Sequence, residues 1–346
     1  MINDDSILVF EYFTASGEKD KCIISEAEAL IFALLKDLSD FDVDLVINKS
    51  YENVVKDYEN VNPILIDCDV IDWLEDNAVN FNKAIFIAAE NNNNLYNITK
   101  ILEENNVKTY TSSAEACLKS SDKYETYEAL PNDVPKRAIE NLHEKWQAED
   151  PLTPLKLIIK PLVGVDCEDI IIIEDIKDLS YDLEQIFPPG SRIIVQEYIE
   201  GTDISVSLIS DGKKAIPISL NQQFVELKNN KGTYEGGKLP YESKYEQEAF
   251  EIATKAVEAI DGIKGFVGVD LLINADEKDI YSVYLLEINS RFTTPYVGLS
   301  KVANFNIGKS IIELIDGKIT LDDIDVSLDG EVEFKKSGDL LEIRRI

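Results

Sequence analysis

Three oxygen-bearing side chains stand out for their setting: Asp270 in GFVGVDLLI, and Glu287 and Asn289 in VYLLEINSR, all within apolar, β-branched runs. Magnesium prefers six oxygen ligands and commonly takes one or two carboxylates, with phosphate oxygens and water completing its shell. Two carboxylates and an amide therefore suit a metal bound together with a polyphosphate better than one held by protein alone. Lys160, at the end of LKLIIK, and Arg291, two residues past Asn289, supply cations for phosphate, and the planar arginine fork also matches an acyl phosphate. The competing explanation is a hairpin whose polar residues face water. It accounts poorly for Glu287, a charge that interrupts an apolar strand and has Asn289 and Arg291 close behind it.

These residues act together only if the chain folds back between them. Residues 265–273 and 280–288 are strand-like, and the polar segment 274–279 between them predicts a hairpin. With the turn centred between Asp276 and Glu277, Asp270 lies opposite Val283, four residues short of Glu287. An even offset preserves the face, and Glu287 and Asn289, two apart, share one too. All three ligands can then converge.

Composition narrows the function. The 346 residues carry 34 Lys and Arg against 66 Asp and Glu, a net charge of -32, which repels nucleic acid and anionic membranes. A nucleotide cleft must then be a local basic exception, which draws notice to Lys123, Lys160 and Arg291. The expected partners are small-molecule substrates, and a homo-oligomer is left open. Cys22, Cys68, Cys117 and Cys167 are widely spaced, and His143 is the one histidine, so neither a metal cluster nor a disulfide framework is expected. His143 reads as a surface residue. Asp4 and Asp5 near the start do not read as a signal peptide, no run is long enough to span a membrane, and a cytoplasmic location is expected.

Along the chain, residues 1–118 alternate strand and helix signals (ILVFEYF, VDLVIN, NPILID, AIFIAA), predicting an open parallel α/β sheet with covering helices. Ligands bind such sheets beyond the strand ends, so Glu11 to Gly17 and Glu90 to Asn94 are candidate substrate loops, or else solvated turns. A second unit is expected over 119–198, a third over 199–328 with the metal hairpin, and a peripheral charged tail over 329–346.

In order, Asp122-Lys123, IIKP, VQEYIEGTDIS, GVDLL and LEINSR resemble the motifs of the ATP-grasp superfamily. The resemblance covers roughly the C-terminal two thirds of the chain. It implies an α/β fold with two lobes enclosing ATP behind an N-terminal open sheet, and the use of ATP with magnesium, or manganese in its place. By resemblance, Lys123 and Lys160 contact phosphates, Gln196, Glu197, Tyr198 and Ile199 border adenine, and Asp203 binds ribose. Asp270, Glu287 and Asn289 hold the metal, and Arg291 stabilises the transferring phosphoryl group. One departure concerns the loop over 162–169, often rich in Gly and Ser so that backbone amides close over phosphate. Here it has Gly164 alone among several acids.

A narrower resemblance rests on EYFTASG, SLNQQ and YEGGKLP, which are similar to segments of archaeal tyramine–glutamate ligases of methanofuran biosynthesis. It implies that Asn221, Gln222, Gly236 and Gly237 lie near the acceptor, although turn and strand roles also explain them. Phe224, Tyr234 and Tyr241 could wall a phenol ring. The expected activity is an ATP-dependent carboxylate–amine ligation through an acyl phosphate. The alternatives are a ligase for another amino-acid pair, such as the pyrrolysine-pathway type, and a non-catalytic nucleotide-binding regulator.

Overall fold

The computed structural model describes residues 5–136, 156–164, 170–174, 192–228, 231–276 and 279–346. His143 and Cys167 lie outside the described residues.

The first unit begins with β1 (Ile7–Glu11), buried along its whole length, then α1 (Tyr12–Ser16) and α2 (Lys21–Asp37). Asp20 starts α2 by accepting the N–H groups of Cys22 and Ile23, a cap worth about 1 kcal/mol. Ala27, Leu30, Ile31, Leu34 and Leu35 recur at helical spacing and form its buried face. Burying each large aliphatic chain stabilises the fold by roughly 1.5–3 kcal/mol. The unit continues through β2 (Val43–Asn48), β3 (Val61–Ile66), α3 (Val70–Asn77), β4 (Lys83–Ile87), α4 (Asn94–Glu104) and β5 (Lys108–Thr109). The five strands are parallel in the order β3-β2-β1-β4-β5, as expected for apolar runs covered on both faces.

The polar segment 111–113 then docks on the C-terminal half of the chain. Ser112 Oγ donates to Ser290 O at 2.9 Å, and Ser113 N donates to Gly262 O at 2.9 Å. Ser113 also caps α5 (Ala114–Ser121), and Asp122 caps α6 (Lys123–Ala129). A small antiparallel sheet, β7-β6-β8, is built from β6 (Leu157–Pro161), β7 (Ile171–Ile173) and β8 (Ile193–Glu197).

The large sheet starts with β9 (Gly201–Asp211) and β10 (Ala215–Lys228), joined through Asp211 and Gly212. Gly212 has φ +104°, and Asp211 Oδ1 accepts from the N–H groups of Lys213 and Lys214, the Asp-Gly turn chemistry legible in the sequence. Then come β11 (Lys231–Leu239), α7 (Glu246–Glu258), β12 (Lys264–Asn274), β13 (Val283–Asn289), α8 (Pro295–Val302) and α9 (Ile307–Ile315).

Residues after Asp329 are not peripheral. They form β14 (Val332–Ser337) and β15 (Leu340–Arg345), completing the antiparallel order β13-β12-β9-β10-β11-β14-β15. The charges of VEFKKS mask a strand alternation that buries Val332 and Phe334 against α8 and α2. The same core joins the two larger units: Asp37 of α2 accepts hydrogen bonds from Tyr296 Oη at 2.8 Å and Gly308 N at 3.0 Å.

Candidate active site

The metal hairpin forms, with a different register. Ile273 pairs with Val283, and Asn274 N donates to Ser282 O at 2.8 Å, so the connection is longer than expected. Ile280, assigned to a strand by its hydrophobicity, sits in that connection and is 88% exposed. A bulge between Asp270 and Leu271 then brings Asp270 directly opposite Glu287. The two carboxylates are cross-strand neighbours. Asn289 Nδ2 donates to Asp270 Oδ2 at 2.9 Å, and Gln223 Nε2 of β10 donates to Asp270 Oδ1, also at 2.9 Å.

Cations approach from other elements. Lys123, held by the cap that opens α6, is 8% exposed and lies 3.1 Å from Glu287 Oε2. Lys160, 9% exposed near the end of β6, acts electrostatically on both Glu287 and Asp203. Arg291 Nε donates to Glu90 Oε2 at 2.7 Å, its NH1 to Phe292 O at 3.2 Å and its NH2 to Asn289 Oδ1 at 3.4 Å. Glu90 comes from the loop after β4, so one candidate substrate loop orients this arginine. The other behaves differently: Glu11 is buried and caps α1 through the N–H groups of Phe13 and Thr14.

The electrostatics divide the two carboxylates. Burial alone would raise the pKa of Glu287, but Lys123 and Lys160 outweigh it and hold Glu287 below the ordinary carboxylate range. Burial and the neighbouring Glu287 push Asp270 up, more than its bonds from Asn289 and Gln223 pull it down. Two like charges this close call for more positive charge than one lysine supplies. Among the described residues no three His, Cys, Asp or Glu side chains gather as a metal cluster. The donor set is two carboxylates and the Asn289 amide oxygen, and it fits a hard cation that shares its shell with phosphate.

A cavity of about 250 Å³ connects these groups. Lys123, Lys160, Gly164, Asp270, Glu287, Asn289 and Arg291 line it, together with Gln196, Glu197, Tyr198, Ile199 and Asp203. Gln196 Nε2 donates to Tyr127 Oη, and Lys156 stands 4.6 Å from the centre of the Tyr198 ring. Residues 165–169 of the loop past Gly164 lie outside the described residues.

The expected acceptor residues do not line this cavity. Asn221 is fully buried and donates to Ser205 and Ser207. Gln222 belongs to the other face of β10, and its neighbour Gln223 reaches the cavity, since a one-residue step along a strand reverses the face. Gly236 has φ +134°, and a Cβ there would lie 2.1 Å from Phe334 O; a Cβ on Gly237 would lie 2.5 Å from Gln222 O. Both glycines let β11 pack between its neighbours. Of the aromatic residues, Tyr234 lines the cavity, whereas Tyr241 packs on the core beneath α7 and Phe224 borders a separate shallow surface depression. Glu26 of α2, Thr293, Thr294 and Pro295 complete one end of the cavity, and the sequence had not singled them out.

Residues 120–295 match the model of the ATP-grasp domain. The chain belongs to the ATP-grasp family. Within it, the chain is 33% identical over 300 residues to the tyramine–L-glutamate ligase of Methanocaldococcus fervens, covering 85% of this chain and 89% of the relative. The corresponding enzyme of Methanocaldococcus jannaschii is 30% identical over 304 residues, covering 85% and 84%. A crystal structure of an ATP-grasp superfamily protein from Archaeoglobus fulgidus superposes with TM-score 0.72 at 24% identity, covering 99% of each chain. This ATP-grasp protein is an ATP-dependent, ADP-forming ligase that joins a carboxylate to an amine. Among the described residues no helix is long and apolar enough to cross a membrane.

Proposed function

We propose that this ATP-grasp ligase joins the γ-carboxylate of L-glutamate to the amine of tyramine, forming γ-glutamyltyramine, a step of methanofuran assembly. The observation that carries the chemistry is the convergence of Lys123, Lys160, Asp270, Glu287, Asn289 and Arg291 on one cavity. The identity to two tyramine–L-glutamate ligases over most of the chain supports the substrate pair.

In this reading ATP lies between the small unit of 119–198 and the larger unit of 199–328. Gln196 to Ile199 border adenine and Asp203 meets the ribose. Lys123 and Lys160 bind phosphate oxygens as compact charges. Asp270, Glu287 and Asn289 would hold magnesium, or manganese, which supplies charge neutralisation at the phosphates. The donor carboxylate attacks the γ-phosphorus, ADP leaves, and an acyl phosphate forms. The amine then attacks the acyl carbon, loses a proton, and phosphate departs. Arg291, fixed by Glu90, faces the acyl phosphate and its developing charge. Positioning and charge neutralisation carry the reaction, and it needs no side-chain nucleophile.

The test is competition among tyramine, phenethylamine, lysine and ornithine, each with glutamate and ATP, read out by ADP release and mass detection of the amide. Tyramine should be fastest. Phenethylamine should be slower, because a site that pairs the phenol hydroxyl leaves that partner unsatisfied when the group is missing. Faster amide formation with a diamino acid refutes the tyramine assignment and leaves the ligase chemistry standing.

A further inference from the structure

Among the described residues, the carboxylates lining the cavity are Glu26, Glu197, Asp203, Asp270 and Glu287. Four have places in the nucleotide and metal chemistry above. Glu26 does not. It projects from α2 of the N-terminal unit, and its Oε1 accepts a hydrogen bond from Thr294 Oγ1 at the start of α8. Its Oε2 lies 3.6 Å from Lys336 Nζ of β14. That separation attracts, but it exceeds the usual N–H···O length of about 2.7–3.2 Å. The side chains are 22% and 20% exposed, enough for each to meet a ligand. Lys336 Nζ also stands 5.5 Å from the ring centre of Tyr234, which lines the cavity. Glu26 and Tyr234 therefore line the cavity and Lys336 stands beside them on β14, with β9, β10 and β11 between it and the metal carboxylate on β12.

We propose that Glu26 and Lys336 form a clamp for the zwitterionic head of the α-amino acid whose distal carboxylate is activated. Glu26 takes the α-ammonium and Lys336 the α-carboxylate. The assignment rests on the amino-acid donor reading above and deepens it. Inserting a zwitterion into a loose opposite-charge pair sets four charges in alternation, so neither side chain loses its counter-ion as the ligand enters. The thread of Thr294, Thr293 and Arg291 runs from the clamp toward the reacting end, which places head and side-chain carboxylate at opposite ends of one cavity. The acceptor amine is a poorer match for Glu26. It must be neutral and beside the acyl phosphate when it attacks, and a monoamine carries no carboxylate for Lys336.

The experiment compares donors at saturating ATP and tyramine: L-glutamate, glutarate, which lacks the α-ammonium, and 4-aminobutyrate, which lacks the α-carboxylate. The wild type should prefer glutamate over each by about 10- to 100-fold in kcat/KM, the range for losing a hydrogen bond to a charged group. In Glu26→Gln the preference over glutarate should collapse while that over 4-aminobutyrate persists. Lys336→Met should show the converse, and it carries the test alone if the first variant does not fold. A wild type indifferent to both analogues, variants that keep its preferences, or variants that weaken all three donors equally would overturn the clamp. Turnover with a different α-amino acid but not glutamate sinks the glutamate assignment instead, and the deamino and decarboxy analogues of that donor then decide the clamp.

Discussion

Replacing Glu11 by glutamine should flatten the pH dependence of stability between pH 4.5 and 7. Burial pushes the Glu11 carboxyl from its ordinary 4.5 up to about 7, against the pull of the Thr14 and Phe13 N–H groups and with a further push from Glu26. Between these values the folded chain holds a proton that the unfolded chain has released. Stability from this group is thus complete below pH 4.5, declines as pH rises, and is gone once pH passes 7. At about 1.36 kcal/mol per pH unit, the interval corresponds to about 3 kcal/mol. Glutamine cannot ionise, and whatever capping it loses or keeps is the same at every pH. The assay is urea unfolding of both proteins in matched buffers from pH 4.5 to 7.5. Subtracting the two curves cancels carboxylates distant from Glu11. The glutamine variant should gain on the wild type by about 3 kcal/mol across the range, and a difference that stays constant with pH refutes the reasoning.

Glu287→Gln keeps shape but removes one metal charge and the partner of Lys123, so turnover should fall by about 10²–10³-fold, the scale of losing one preorganised electrostatic contact. Near wild-type turnover in the purified variant would remove Glu287 from the metal set. Lys160→Met should weaken ATP binding with the fold intact, and calorimetry giving equal affinity would return this lysine to a structural role. Gly236→Ala forces a Cβ against Phe334 O at a positive φ and should lower the melting temperature by several degrees, about 1–3 kcal/mol of strain; an unchanged melting curve contradicts the close packing of β11 against β14.

The range of each interaction decided whether the sequence revealed or hid it. The parallel unit was legible because ILVF and AIFIAA are continuous apolar runs between helical patterns. Asp270, Glu287, Asn289 and Arg291 were legible as a group because strand alternation is local, even though the register was misjudged: Ile280 and Tyr281 read as strand but lie in the connection. Of the two glutamines in SLNQQ, Gln223 and not Gln222 faces the cavity, which is decided by how β10 sits in its sheet. Glu26 and Lys336 gave no local signal, and Glu90 stood out only as the first residue of a loop beyond a strand end. Glu26 lines the cavity, Lys336 meets Glu26, and Glu90 meets Arg291, each only through packing between elements far apart in sequence, and in such an acidic chain one more glutamate attracts no notice.

The contact between Arg291 and Glu90 has a consequence for how this enzyme can be divided. The segment that matches the ATP-grasp model, 120–295, contains the arginine but not the glutamate, nor Glu26, nor β14, which pairs with β11, nor β15 beyond it. A ligase trimmed to that segment would keep its nucleotide residues and lose the buried counter-ion that aims its guanidinium. Chimaeras between relatives should accordingly be cut so that the loop after β4 travels with the strand end that carries Arg291. In the proposed reaction the N-terminal unit contributes the carboxylate that orients Arg291.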